Sequence, residues 1–412
     1  MQLYRRENYL KKIRGFFHAD DIIKVITGVR RCGKSCLMQT IAEELSEIGI
    51  PDKNIIFIDL DQRGYRGIKN PEQLEKLIET KGTAEGKKYL FIDEIQNVSG
   101  FEEILNGFRT EGNWSIFITG SNSYLLSGEI ATKLTGRYLE FELFPLSFEE
   151  YELMKSFYDI PIDPLPNNEM NQFTLEGGFP RALFLSSPAD KRTYVRGVIQ
   201  EIFHKDIKKR VKIKNPQTFE QIQNFIINNF GATISIRSLW GALRHNGVTV
   251  SQATVAKYIR VLTEAKIIYE CSRFDMKSKK SLNGEKKYYL ADLSFYFANN
   301  TDNRINYGPV LENLTYIYAR AHDYSVSIGK IGTLECDFIL RDQLTQYAYV
   351  QVAYTIFASR QTEDREYRPL ENIKDNFPKY VATMDPLPQK RNGIIHINLI
   401  YFMKNGNLFT NI

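Results

Sequence analysis

Cysteine is scarce in this 412-residue chain: Cys32, Cys36, Cys271 and Cys336 are the only four. So few thiols at such spacings exclude a disulfide framework, and the lack of paired C-x-x-C motifs excludes a zinc ribbon. Long apolar runs are missing as well. No stretch of about 18 apolar residues is present to span a bilayer. The first residues, MQLYRRENYLKKIRGFF, are basic but lack the apolar core and small-residue cleavage site of a signal peptide. These absences lead us to expect a cytoplasmic protein in a reducing compartment, with no membrane partner. A strong charge of either sign is absent too. The net charge of +5, from 54 Lys and Arg against 49 Asp and Glu, is too mild to imply nucleic acid by itself.

What is present begins near residue 22. Ile22 to Ile26 is an apolar run suited to a buried strand, and Gly28-Val29-Arg30-Arg31-Cys32-Gly33-Lys34-Ser35 then fits G-x-x-x-x-G-K-[ST]. Cys36 follows, and Leu37, Met38, Ile41, Ala42 and Leu45 keep a helical period. This is a phosphate cradle. Gly28 and Gly33 allow the tight turn that aims backbone N–H groups inward, and the next helix adds its positive dipole end. Lys34 is placed for the β- and γ-phosphates and Ser35 for a magnesium ion, so ATP and Mg²⁺ are the expected cofactors.

Residues 1–150 alternate strand-like and helix-like segments, the pattern of a parallel sheet covered by helices. Strands are expected at Asn54 to Leu60, Lys88 to Asp93, Trp114 to Gly120 and Leu139 to Phe144, with helices at Pro71 to Glu79 and Phe101 to Glu111. The third strand ends in Asp93-Glu94. A carboxylate at a strand end can hold magnesium, which assigns Asp93 to the metal, and Glu94 can polarise the attacking water. Ser121 and Asn122 end the next strand. They suit either ordinary turn chemistry or a sensor of the γ-phosphate, the latter only if that strand lies between the phosphate-loop strand and the Asp93 strand. Arg137 reads either as a structural ion pair or as an arginine finger, acting within its own subunit or across the interface of a homo-oligomer.

Gly28 to Ser35, Phe91-Ile92-Asp93-Glu94-Ile95-Gln96, Thr119 to Ser123, Leu134-Thr135-Gly136-Arg137 and Glu142 to Ser147 together resemble a bacterial and archaeal group of AAA-like P-loop ATPases whose C-terminal half is a domain of unknown function. The resemblance covers nearly the whole chain. It implies an additional-strand ATPase with Glu94 as base, Asp93 on magnesium and Ser121 or Asn122 as sensor. It implies no settled biological role.

Beyond the ATPase domain (1–150), residues 151–214 read as a linker and helical segment. Prolines crowd Pro145 to Pro166 around a short helix at Ser147 to Phe157. Gly177-Gly178-Phe179-Pro180 resembles a recurring element of the same group. Arg192 to Lys209 reads as one long helix, and 204–214 (HKDIKKRVKIK) is either a solvated face or a phosphate-contacting patch. Residues 215–290 resemble a winged helix, with the Ser251 helix placed for a DNA groove and Lys277 to Lys280 in the wing, or else a module used only for packing.

Residues 291–412 resemble a restriction-endonuclease-like α/β core that carries Glu312 and Asp337. Gln351 and Ala353 stand where such cores need a carboxylate and a lysine, so nuclease activity is not expected. The fold expected is therefore α/β: a P-loop domain, a helical winged-helix domain and a nuclease-like domain. The function expected is Mg²⁺-dependent ATP hydrolysis that repositions the later domains. The alternative is a nucleotide-gated DNA-binding or regulatory protein with slow hydrolysis, and a protein partner is also compatible.

Overall fold

The computed structural model describes residues 2–120, 134, 136–208, 211–300 and 305–405. The chain divides into two compact units: Met1–Pro145 with Glu201–Arg210, and Leu146–Gln200 with Val211–Ile412.

In the first unit, helix α1 (Glu7–Ile13) precedes β1 (Ile23–Thr27) and α2 (Lys34–Glu47), and then β2 (Ile55–Asp59), α3 (Pro71–Lys81), β3 (Lys88–Asp93), α4 (Phe101–Thr110), β4 (Trp114–Thr119) and β5 (Tyr138–Glu142). Local chemistry sets the helix starts. Asn70 caps α3 by accepting from the Gln73 N–H, and Pro71 fills the first helical position, where no N–H is needed. The strands pair in parallel in the order β2-β3-β4-β1-β5. Both faces are covered, which is why β1 and β4 are buried along their whole length and lack alternation.

One register runs across four strands. Phe57, Phe91 and Phe117 stack in sequence with ring centroids 5.8 and 4.7 Å apart. Lys24 of β1 completes the row, its ammonium 4.6 Å from the Phe117 ring. That lysine is fully buried, donating to Ala19 O (2.6 Å), Ile22 O (3.1 Å) and Ser115 Oγ (2.9 Å). Burial pushes its pKa down to about 7.

The second unit opens with α5 (Phe148–Phe157), whose N-terminus is a capping box between Ser147 and Glu150. Next come α6 (Pro166–Glu176) and α7 (Pro188–Glu201), which begins four residues earlier than the expected helix. From Ile202 to Ile207 the helix winds as a π-helix, and this piece belongs to the first unit. The expected linker of 151–214 is therefore split between the two units.

The Gly177-Gly178 pair has a packing reason. A Cβ at Gly178 would lie 2.3 Å from Leu146 O, and one at Gly177 would lie 1.9 Å from Asp292 Oδ1. The Asp292 carboxylate in turn accepts from the N–H groups of Gly178 (2.7 Å) and Ser294 (2.9 Å).

Then follow α8 (Pro216–Asn228), β6 (Thr233–Ile234), α9 (Ile236–His245), α10 (Gln252–Glu264) and the antiparallel hairpin β7 (Ile268–Asp275) and β8 (Lys280–Leu290). The remainder is α11 (Ser294–Asn299), α12 (Tyr307–Ala321), β9 (Ser325–Ile331), β10 (Leu334–Arg341), β11 (Tyr347–Val352), α13 (Arg360–Glu371), β12 (Lys379–Thr383), β13 (Lys390–Arg391), β14 (Ile394–Asn398) and α14 (Leu399–Asn405). These strands form one nine-stranded sheet in the order β13-β14-β12-β11-β10-β9-β7-β8-β6. The expected boundary at 290 falls inside it. Arg273, Phe274 and Asp275 of β7 pair in parallel with Ile328, Gly329 and Lys330 of β9, so the hairpin and the C-terminal core share a continuous hydrogen-bond ladder.

Candidate active site

Gly28 follows β1 at φ 139°, and a Cβ there would sit 2.1 Å from Leu143 O and 2.9 Å from Cys32 Sγ. Only glycine fits. Arg31 (φ 70°) and Gly33 (φ 108°) complete the turn into α2. Lys34 is buried and donates to the carbonyls of Gly28 (2.9 Å) and Val29 (3.2 Å), so its ammonium lies inside the loop. Arg6 staples the loop from outside, donating to Cys32 O at 3.3 Å and Phe144 O at 2.7 Å. Cys32 is buried, which pushes its thiol pKa up; Cys36 stands exposed on the first turn of α2 beside Ser35.

Strand order brings the acidic pair to this loop. β4 lies between β1 and β3, the arrangement on which the sensor reading depended. Asp93 ends β3 almost fully buried and accepts a hydrogen bond from the Thr119 hydroxyl, while the Glu94 N–H donates to the same Thr119 Oγ1 at 3.3 Å. Glu94 holds a left-handed backbone (φ 57°), a costly conformation for a non-glycine residue, and its carboxylate accepts from Gln96 Nε2. Burial raises the Glu94 pKa, and the charges of Lys34 and Arg30 counter it. Among the described residues no group of three His, Cys, Asp or Glu side chains is placed to hold a metal. Magnesium bound to nucleotide commonly takes only one or two protein ligands beside phosphate and water oxygens, and Ser35 with Asp93 fits that donor set.

Thr119 is the residue that sequence reasoning missed. Its signal was a hydroxyl in an otherwise apolar strand terminus, one residue before Gly120. Ser121 and Asn122, the expected sensor, lie outside the described residues. Arg137 is exposed and its carbonyl accepts from Ile23 N at 2.9 Å, which places it at the start of β1. The phosphate loop follows the other end of that strand, about 13 Å away at 3.3 Å per residue. Arg137 and its own loop therefore stand at opposite ends of β1.

The two arginines of the loop point to the π-helical segment. Arg30 makes a two-pronged pair with Asp206 (2.9 and 2.8 Å), and Arg31 one with Glu201 (3.0 and 3.2 Å). Lys205 also meets Glu201, at 2.8 Å. Burial works against the Glu201 charge, but Lys205 and Arg31 hold its pKa down to about 2. The first part of the basic stretch 204–214 is thus engaged with the phosphate loop. Its one acidic residue, Asp206, makes the contact with Arg30.

In the second unit, the nuclease-like candidates are also brought together. Lys287 donates to Glu312 at 2.9 Å and pairs with Glu335 at 3.0 Å, and Tyr289 OH donates to Glu312 at 3.1 Å. Asp337 is buried, accepts from Val352 N at 2.8 Å, and has its pKa pushed well above the carboxylate range by burial and by Glu312. Gln351 is spent on Asp337 N and on Glu366. Lys287 is a buried counter-charge here.

Residues 20–152 match a family described as an AAA domain, and residues 167–304 match a domain of unknown function, DUF8612. An uncharacterized protein of Haemophilus influenzae is 34% identical over 92% of both chains. One of Methanocaldococcus jannaschii is 29% identical over 86% of this chain and 79% of its own. Among solved structures, a Walker-type ATPase of Pyrococcus abyssi aligns with TM-score 0.51 at 15% identity, covering 72% of this chain and 98% of its own, a likeness of fold. With its phosphate loop, central extra strand and acidic couple, the chain belongs to the same family as the Haemophilus influenzae protein, that of AAA-like ATPases carrying a C-terminal domain of unknown function.

Proposed function

We propose that this protein binds and hydrolyses ATP with magnesium, and that the phosphate loop reports its occupancy to the second unit through residues 201–208. The observation that carries the hydrolysis reading is the position of β4, which sets the Gly28–Ser35 loop, Asp93, Glu94 and Thr119 at one end of the sheet. Lys34 and the loop N–H groups hold the β- and γ-phosphates, and Ser35 and Asp93 hold magnesium, which when bound offsets phosphate charge. Thr119 fixes the Asp93 carboxylate. Glu94 accepts the proton of the attacking water, and its raised pKa keeps it basic enough to do so. Ser121 or Asn122 would sense the γ-phosphate, and Arg137, remote from its own loop, would serve a neighbouring copy.

The pairs Arg30–Asp206 and Arg31–Glu201 support the coupling reading, because the chain returns to the second unit directly after them. The elements after 211 are what this coupling would move: the α8–β8 part in its winged-helix order and the α12–β12 core in its nuclease-like order. Calorimetry with Mg·ATP and phosphate-release assays on wild type and Glu94→Gln test the proposal. The variant should retain ATP binding and lose hydrolysis about 100-fold or more; no binding heat from wild type would reject the nucleotide reading outright.

A second reading, nucleotide-gated DNA binding, is favoured by one observation. From Gln221 to Thr263 the chain holds no Asp or Glu.

A further inference from the structure

That 43-residue gap between Glu220 and Glu264 coincides with a helix pair. Sequences of ordinary composition carry a carboxylate every eight or nine residues, as the 49 in this 412-residue chain do. Within the gap, α9 and α10 bury Leu239, Leu243, Val255 and Tyr258 on their inner faces. The indole N–H of Trp240 donates to Val250 O at 2.8 Å and braces the intervening turn, which Gly247 makes possible at φ 78°. The Ser251 side chain caps α10 by accepting from Thr254 N.

The outer faces are cationic. Arg237 and Arg244 of α9 are exposed, and α10 presents Gln252, Ala253 and Arg260 on a stripe with the half-exposed Lys257. On α10 the residues beside the cations, Ala253 and Ala256, are short, so a phosphate backbone can approach closely, while on α9 the Arg244 guanidinium lies over the Trp240 ring at 4.9 Å. Arg260 has an acidic neighbour, Glu264, at 3.7 Å on an exposed flank.

The hairpin that follows is less suited to the same task. Lys286 is paired with Glu270, Lys287 is buried among carboxylates, and the turn at Met276 is bonded to Lys330 O of β9 at 3.0 Å. The outer half of the hairpin is part of the nine-stranded sheet.

We infer that the outward faces of α9 and α10 form a docking surface for double-stranded DNA, with α10 entering the major groove and Arg237 and Arg244 on the flanking phosphates. A two-helix unit projecting one capped helix is the geometry that reads a groove, and Gln252 has the amide that pairs with an adenine edge. The charge pattern selects the partner: four cations with a single flanking carboxylate, Glu264, suit a regular lattice of phosphates. The inference rests on the second reading above and is independent of hydrolysis.

The test is fluorescence anisotropy with a labelled duplex of about 20 base pairs across about 50–300 mM KCl, with and without a non-hydrolysable ATP analogue. Wild type should bind, with affinity falling linearly in log–log form as salt rises. Arg244→Ala/Lys257→Ala/Arg260→Ala should weaken binding at least tenfold and flatten the salt slope by about 0.9 per lost phosphate contact. Lys277→Ala/Lys279→Ala/Lys280→Ala should bind as wild type does. Unchanged melting curves establish that both variants fold.

No binding at the lowest salt in either nucleotide state overturns the inference, and calorimetry on the same sample separates that failure from loss of ATP binding. Equal binding by the α9/α10 variant overturns it too, as does equal competition by polyglutamate, which would mark an unselective polyanion surface.

Discussion

Thr119 and Asp93, 26 residues apart in sequence, meet at the ends of adjacent strands, the threonine hydroxyl donating to Oδ1 of the carboxylate. The same oxygen of Thr119 takes the Glu94 N–H at 3.3 Å, so one hydroxyl orients both acidic residues. Replacement of Thr119 by Val keeps the shape and removes both bonds. Loss of a partner that orients a metal-holding group commonly costs 10–100-fold, so magnesium-dependent turnover should fall by about that factor while nucleotide affinity without metal stays unchanged. Thr119→Ser should restore most of the rate. Titrating Mg²⁺ in a phosphate-release assay measures it.

Asp206→Ala strips the partly buried Arg30 guanidinium of its two-pronged partner. Breaking the pair leaves Arg30 only the longer contact to Glu201 at 3.9 Å, and a destabilisation of at most about 3–5 kcal/mol is expected in thermal melts. The double variant Arg30→Met/Asp206→Leu should recover much of that loss. If the pair also transmits nucleotide occupancy, bound ATP analogue should slow amide exchange in 201–208 of wild type and have no such effect in the double variant.

Lys287→Met removes the ammonium from Glu312, Glu335 and Asp337 at once. Carboxylates left facing one another repel, so the second unit should lose about 3–5 kcal/mol in urea unfolding. Acid should partly rescue it, because protonated carboxyls no longer repel.

His396 is fully buried, with Nε2 at 2.7 Å from Thr383 Oγ1. Burial lowers its pKa from the usual 6.5, and Asp385 opposes that. The folded state therefore holds it neutral, while the unfolded chain takes up a proton below pH 6.5. Stability from this group is fully present above that pH and is lost as pH falls toward the folded value, by up to about 1.4 kcal/mol per pH unit. Urea midpoints at pH 7.5 and 5.5 should differ more for wild type than for His396→Gln, which does not titrate.

The nucleotide half was largely legible because its signals are local. A glycine-bounded loop between an apolar strand and a helix needs no distant partner to be recognised, and Asp93-Glu94 announces itself at a strand end. What could not be read lies between strands. The place of β4 beside β1 is a tertiary fact, and Thr119 gains its role only through that placement. Arg137 looked apt for a finger by motif alone, yet strand direction sets it at the far end of β1. The Arg30–Asp206 pair spans 176 residues, and Lys287 is surrounded by carboxylates contributed from later elements. Pairs of this kind leave no periodicity, so spacing cannot reveal them. The Gly177-Gly178 pair was visible as a motif, but its cause, the approach of Leu146 and Asp292, was not.

The pairing of Arg273–Asp275 with Ile328–Lys330 has a practical corollary for anyone dissecting this protein. A fragment ending at 290 would present β7 with one flank stripped of its neighbour, and naked strand flanks recruit other chains. Such a fragment should precipitate or form higher-order species on gel filtration, whereas one spanning 146–405 should run as a discrete peak. Shortened expression clones of α9 and α10 must therefore retain the whole second unit.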